Sequence, residues 1–148
     1  MFHKIVVGID GSAMSESALH LACDLAQKYS SELHLVHTPQ PETVAFAMGA
    51  VAGYHVVTTM PSPEEVKDAA EKILNSGKEI AKSHGQTINQ TYMEQGDPAK
   101  EIAGYAERIG ADLIVTGRRG LGSVGALVQG STSQKINHLA KCACLSVI

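Results

Sequence analysis

Apolar positions change period along this chain. From His3 to Ile9 the run is short and β-branched, and Asp10-Gly11-Ser12 closes it, which predicts a buried strand ending in a turn. After Ser12 the spacing lengthens. Leu19, Ala22, Cys23 and Ala26 recur at i, i+3, i+4 and i+7, so a helix packs one face and ends near Tyr29. Glu32 to Thr38 is strand-like again, and Pro39 and Pro41 remove backbone donors and stop it. Pro63 with Glu64 and Glu65 suits the first turn of a long second helix, whose apolar face is Val66, Ala69, Ala70, Ile73, Gly77, Ile80 and Ala81. Gln86 to Gln95 alternates weakly and predicts a polar, exposed third strand. Gly96-Asp97-Pro98 offers an N-cap carboxylate and a proline at the first helical position, and Gly110 is placed to end that helix in a left-handed conformation. Leu113 to Thr116 is a short apolar strand. A glycine-rich loop, a last helix from about Ser131 to Lys141 and a closing strand from Cys144 to Ile148 complete the string.

Strict alternation of strands and helices predicts a doubly wound α/β fold, a parallel sheet with helices on both faces joined by right-handed crossovers. Ligands of such sheets bind beyond the carboxyl ends of the strands, where the strand order reverses. Attention therefore falls on Gly8 to Ser12, on the exit at Thr38 and on Thr116 to Gly130.

Composition narrows the classes. At 148 residues the chain is expected to form a single domain over 1–148. There is no Trp, only two Phe and four Tyr, and the formal net charge is -3, which argues against nucleic acid as a partner. Cys23, Cys142 and Cys144 are odd in number and form no CxxC pair, so neither a disulfide framework nor a zinc site is expected. Met1 leads directly into the first strand without a signal-peptide pattern, and a cytoplasmic location is expected. The 21 residues from Thr43 to Pro63 carry no Asp, Glu, Lys or Arg. They include His55, three Thr and two Pro and lack a Leu/Ile-rich centre, so a loop that covers a ligand or partner is expected there rather than a stable membrane insertion.

Between Thr116 and Ser133 the chain reads T-G-R-R-G-L-G-S-V-G-A-L-V-Q-G-S-T-S, with five glycines after a buried strand and before a helix. Glycines leave backbone amides open to a close anion, and the incoming helix start adds donors and a partial positive charge. Ser131 and Gln134 match the S-x-x-Q capping box. No acidic residue occurs in the 36 positions after Asp112, whereas Arg118, Arg119, Lys135 and Lys141 do, a local field that favours an anion. The Walker A pattern is absent. A G-x-G-x-x-G match at Gly120, Gly122 and Gly125 follows the fourth strand and has no acid downstream to hold a ribose, so it is read as accidental.

Gly117-x-x-Gly120, nine residues and then Gly130-Ser131 resembles the G-2x-G-9x-G-[S/T] signature of ATP-binding universal stress proteins. The resemblance extends through V-G-I-D-G-S at Val7 to Ser12, H-L-V-H at His34 to His37, G-D-P at Gly96 to Pro98 and A-D-L-I-V-T-G at Ala111 to Gly117. It implies a five-stranded parallel sheet of order 3-2-1-4-5 and ATP as ligand, with Mg2+ held mainly through the phosphates. The family is usually dimeric, and in that order the apolar, uncharged strand Cys144 to Ile148 is an open edge, so a homodimer through it is expected. By the same resemblance Gly8, Ile9 and Asp10 lie beside the adenosine and Thr38 at the adenine edge. Thr116, Gly117, Arg119 and Gly120 line the ribose-phosphate path, and Gly130, Ser131, Thr132 and Ser133 hold the phosphates. Thr38 stands where ATP binders of the family often carry Val, and Asp10 also reads as an Asx-turn residue. Three functions stay open: a nucleotide-dependent sensor in stress response, a slow ATPase or nucleotidyl-transfer enzyme, and a nucleotide-free dimeric interaction protein.

Seven histidines invite a metal site. His34 and His37 sit three apart on a strand and face opposite ways. His3, His20, His55, His84 and His138 have no partner at ligand spacing, and all are expected to be surface or half-buried residues. Cys142 and Cys144 alternate as small buried residues do.

Overall fold

The apolar runs at residues 4–8, 32–37 and 113–117 become strands because their side chains are covered on both faces. The computed structural model describes residues 1–47, 61–120 and 130–148. In it β1 (Lys4–Gly8), β2 (Glu32–His37), β3 (Ile88–Met93), β4 (Leu113–Gly117) and β5 (Ala143–Val147) form one parallel sheet in the order β3-β2-β1-β4-β5. This is the doubly wound α/β architecture expected from the alternation. The middle of the Thr43 to Pro63 stretch, with His55, and the loop residues Gly122 and Gly125 lie outside the described residues.

Helices α1 (Ala13–Tyr29) and α3 (Pro63–Ser83) pack on one face, where Leu19, Ala22, Ala26, Ile73 and Leu74 meet Ile5, Val7, Leu33, Leu35 and Val115. Helices α4 (Pro98–Ile109) and α5 (Ser131–Leu139) cover the other, where Ile102, Tyr105, Ala106 and Ile136 meet Val6, Val36 and Ile114. Ile5, Leu33, Leu35 and Ile114 are fully buried, each contributing about 1.5–3 kcal/mol of hydrophobic stabilisation. Gly77 lets α3 sit close on this sheet, since a Cβ there would lie 2.8 Å from Leu35 Cδ1.

Local chemistry sets the boundaries. Asp97 caps α4 through the amides of Ala99 and Lys100, and Gly110 ends that helix at φ 65°. Where β2 and β3 slip in register, the side chain of Asn89 accepts from the Leu33 amide at 2.9 Å and replaces the lost ladder bond. β3 is the exposed, polar edge that its sequence predicts.

One element goes beyond the sequence reading: Pro41–Ala47 is a short helix, α2, packed against α3. Pro41 was expected only to stop β2. It does so, but proline is also suited to a first helical position, and Thr43 and Gln40 close the turn through hydrogen bonds of 2.8 Å in both directions.

Candidate functional site

The carboxyl ends of β1, β2 and β4 bring most of the expected residues together. At β1, the Ser12 amide and hydroxyl both donate to Asp10 Oδ1, at 2.9 and 2.5 Å, forming the Asx turn that leads into α1. Ser12 in turn caps α1 by accepting from the Ser15 amide. The other carboxylate oxygen, Oδ2, lies against Gly120, where any Cβ would collide with it. Asp10 thus touches the loop after β4 as well as its own turn.

The glycines of the signature are crowded by backbone. A Cβ on Gly117 would lie 2.8 Å from Met14 C and 2.9 Å from its carbonyl oxygen, so β4 exits directly under the first turn of α1. A Cβ on Gly130 would lie 2.8 Å from Arg118 O and 3.3 Å from Arg119 Cα. The Gly130 amide donates to Arg118 O at 2.8 Å, while the Arg118 amide donates to Val147 O at 2.7 Å. The chain that leaves β4 is therefore stitched on one side to β5 and on the other to the start of α5. Gly8 is different: its Cβ direction is filled by Ile102 Cδ1 at 2.7 Å, so its small size seats α4 on the sheet. Thr116, buried, is its register partner on β4.

The expected capping box at α5 does not form. Gly130 is the N-cap, no side chain caps the helix, and Ser131 is its first residue. The cause is tertiary. The Arg118 to Gly130 hydrogen bond fixes the helix start one residue earlier than the S-x-x-Q pattern implies. Ser133 turns inward instead, its hydroxyl donating to Arg118 O at 3.1 Å and Gly130 O at 3.0 Å. Ser131 is exposed and Thr132 half-buried. What α5 offers to an anion is thus its first-turn amides and helix-start potential, not the Ser133 side chain.

The basic tail is partly neutralised. Lys135 reaches Asp97 at 3.1 Å, tying α5 to the N-cap of α4, and Lys141 reaches Glu107 at 2.6 Å. Both pairs span more than 30 residues of sequence. Arg118 and Arg119 are half-buried beside Gly120.

At the end of β2, Thr38 is 6% exposed and its Oγ1 has no hydrogen-bond partner among the described residues. Such a buried hydroxyl costs free energy unless something else meets it. Next to it His37, 1% exposed, places Nδ1 at 2.9 Å from Ile9 O. A carbonyl only accepts, so the ring donates from Nδ1. Burial lowers its pKa, which the Ile9 carbonyl and Asp10 only partly oppose. Ile9 itself points its side chain toward α3, near Gly77, and extends the ladder through its amide to Val36 O at 2.9 Å. From sequence, His37 and His34 both read as surface or half-buried residues, yet both are buried, and His37 makes the contact with the β1 exit. It is a core residue bracing that exit, and neither His37 nor the Met14 contact was found from sequence, because both depend on register between distant strands.

His34 does face the opposite side, its Nδ1 3.0 Å from Tyr105 Oη. Burial pushes the Cys23 thiol up to about 11 and raises those of Cys142 and Cys144. All three are free thiols held away from the reactive thiolate form.

Comparison with known proteins agrees with this architecture. The profile of the Universal stress protein family matches residues 1–147. Universal stress protein YxiE of Bacillus subtilis (strain 168) is 35% identical over 150 residues, covering 99% of each chain. Stress response protein NhaX of the same organism is 30% identical over 156 residues, covering 93% of each. Among solved structures, a universal stress protein in complex with cAMP superposes with a TM-score of 0.72 at 22% identity, over 99% of this chain and 97% of that one. The universal stress protein from Archaeoglobus fulgidus in complex with dAMP gives 0.70 at 18% identity, over 99% and 98%.

Proposed function

This chain belongs to the universal stress protein family, and on that premise we propose that it binds an adenine nucleotide, ATP by its loop signature, and serves as a nucleotide-dependent regulatory module in stress response. The observation that carries the reading is the seat of Gly130. Its missing side chain lets the start of α5, uncapped by any side chain, lie directly on the Arg118-Arg119 backbone. Main-chain amides there fit a phosphate chain. Thr38 Oγ1, buried without a partner, fits a polar edge of the base. Two proteins of the same fold were solved with cAMP and dAMP, which supports the adenine class.

In this reading Gly8, Ile9, Asp10 and Thr38 flank the adenosine. Thr116, Gly117, Arg119 and Gly120 follow the ribose-phosphate path, and Gly130 to Ser133 hold the phosphates, with Mg2+ carried on them. Phosphoryl transfer also needs a group to orient the attacking water. Asp10 Oδ1 is committed to Ser12, so the reading is of a binder with at most slow turnover. The uncharged edge strand β5 pairs with a second copy to make a homodimer. The protein acts in the cytoplasm. No helix among the described residues is long and apolar enough to cross a membrane.

Mass spectrometry of the protein as purified, followed by melting with added nucleotide, tests the reading. ATP at a hundredfold excess over its Kd raises Tm by about 5–10 °C. Melting curves that ATP, ADP and AMP all leave in place would refute it.

A further inference from the structure

Away from the crevice, two histidines that sequence spacing left unpartnered meet in space. His20 lies exposed on α1, and His84 is the C-cap residue of α3. Nδ1 of His20 stands 2.6 Å from Nε2 of His84, with the ring centroids 4.8 Å apart and the planes tilted by 53°. The expectation that each would stand alone fails because 64 residues separate them. Asp24, one turn beyond His20 on α1, places Oδ1 3.7 Å from the other ring nitrogen of His84, Nδ1.

Two imidazole nitrogens come this close only when a proton or a metal cation lies between their lone pairs. We propose that His20 and His84 form a surface site for a borderline divalent transition-metal ion such as Zn2+, with Asp24 orienting His84 from outside the coordination shell. Metal–nitrogen bonds of about 2.0–2.1 Å at the tetrahedral angle put ligating nitrogens about 3.3 Å apart, so the pair must open by about 0.7 Å and rotate its rings, which the exposed His20 can supply. Asp24, within ion-pair reach of the second nitrogen of His84 at 3.7 Å, needs only a small side-chain shift to make the carboxylate–histidine–metal arrangement that fixes the tautomer and raises ligand basicity. The C-terminal end of α3 adds a partial negative charge that favours a cation. Imidazole donors select zinc, copper or nickel over magnesium or calcium. Among the described residues no group of three or more His, Cys, Asp or Glu side chains is arranged to hold a metal, so the site has two protein ligands completed by water. The C-terminus of α3 leads to the amino end of β3, at the other end of the sheet from the nucleotide crevice, so this site stands or falls separately from the proposed function.

Calorimetric titration of the nucleotide-free full chain with zinc chloride at neutral pH tests it. One equivalent binds in the wild type. His20→Ala and His84→Ala each weaken that event at least tenfold, Asp24→Asn by about tenfold, and the control His138→Ala leaves it unchanged. In the wild type the ring nitrogen resonances of His20 and His84 shift together on saturation, a readout independent of how the variants fold. The proposal is overturned if the wild type binds no zinc, if the two alanine variants bind it as tightly as the wild type, or if the two ring signals stay in place.

Discussion

The two ends of the sheet treat their polar groups differently. At the amino end, Asp112 accepts the amides of His3 and Lys4 at 2.7 and 2.8 Å, and Ser31 donates to Phe2 O at 2.6 Å. Those partners come from the chain itself. At the carboxyl end, Thr38 Oγ1 is buried without one among the described residues, and α5 starts without a side-chain cap. The glycines differ in the same sense. Gly85 and Gly110, at the amino end, would have open space around a Cβ, whereas Gly117, Gly120 and Gly130 would each meet other chain atoms. An end whose hydrogen bonds close internally is structural. An end that keeps polar groups in reserve, at the position where doubly wound folds bind ligands, is the one to test for binding.

The largest effect that could break this contrast is expected from Gly130→Val. Its side chain would drive into the Arg118 carbonyl, and nucleotide affinity should fall at least a hundredfold, measured by calorimetry, while circular dichroism keeps the α/β signature. Full affinity in the folded variant would remove the phosphate cradle from the account. Thr38→Val comes next. Without nucleotide it should be neutral or stabilising by up to about 1 kcal/mol in denaturant unfolding, because it deletes an unpaired buried hydroxyl, and it should weaken ATP binding about tenfold. A destabilised variant would mean that the hydroxyl is already satisfied.

Asp112→Ala probes the other end. The amides of Lys4 and His3 hold its carboxyl below the ordinary value of 3.8. Because the folded value is the lower one, its contribution is whole above the ordinary value and is lost as pH falls through the folded value. The position is half-buried and solvent still screens its charge, so the loss at neutral pH should be only about 1 kcal/mol, with ATP affinity unchanged. The variant should also show a flatter loss of stability in acid than the wild type. The smallest effect is expected from Gly104→Ala on the exposed side of α4, where a Cβ meets nothing within 4 Å. It should stabilise by about 0.5–1 kcal/mol and leave binding alone.

Features carried by neighbouring residues were legible in the sequence. The strand and helix periods, the Asp97 and Gly110 caps and the polar character of β3 all appear as read. The glycine spacing also located a loop whose ends are packed against each other, as Gly130 on Arg118 shows. What stayed hidden depends on contacts between distant segments. Pro41 reads as a stop until α3 provides a surface for α2. Ser131 reads as a cap until the Arg118 carbonyl claims Gly130. Lys135 and Lys141 read as free cations until Asp97 and Glu107 are folded beside them. His20 and His84 follow the same rule.

The most direct test of the account is an amide proton–nitrogen NMR titration of the full chain with MgATP, following the glycine signals. The account predicts large shifts for Gly117, Gly120 and Gly130 and nearly none for Gly85 and Gly110. Signature glycines that stay still at saturating nucleotide, or that move no more than the two at the amino end, would contradict it.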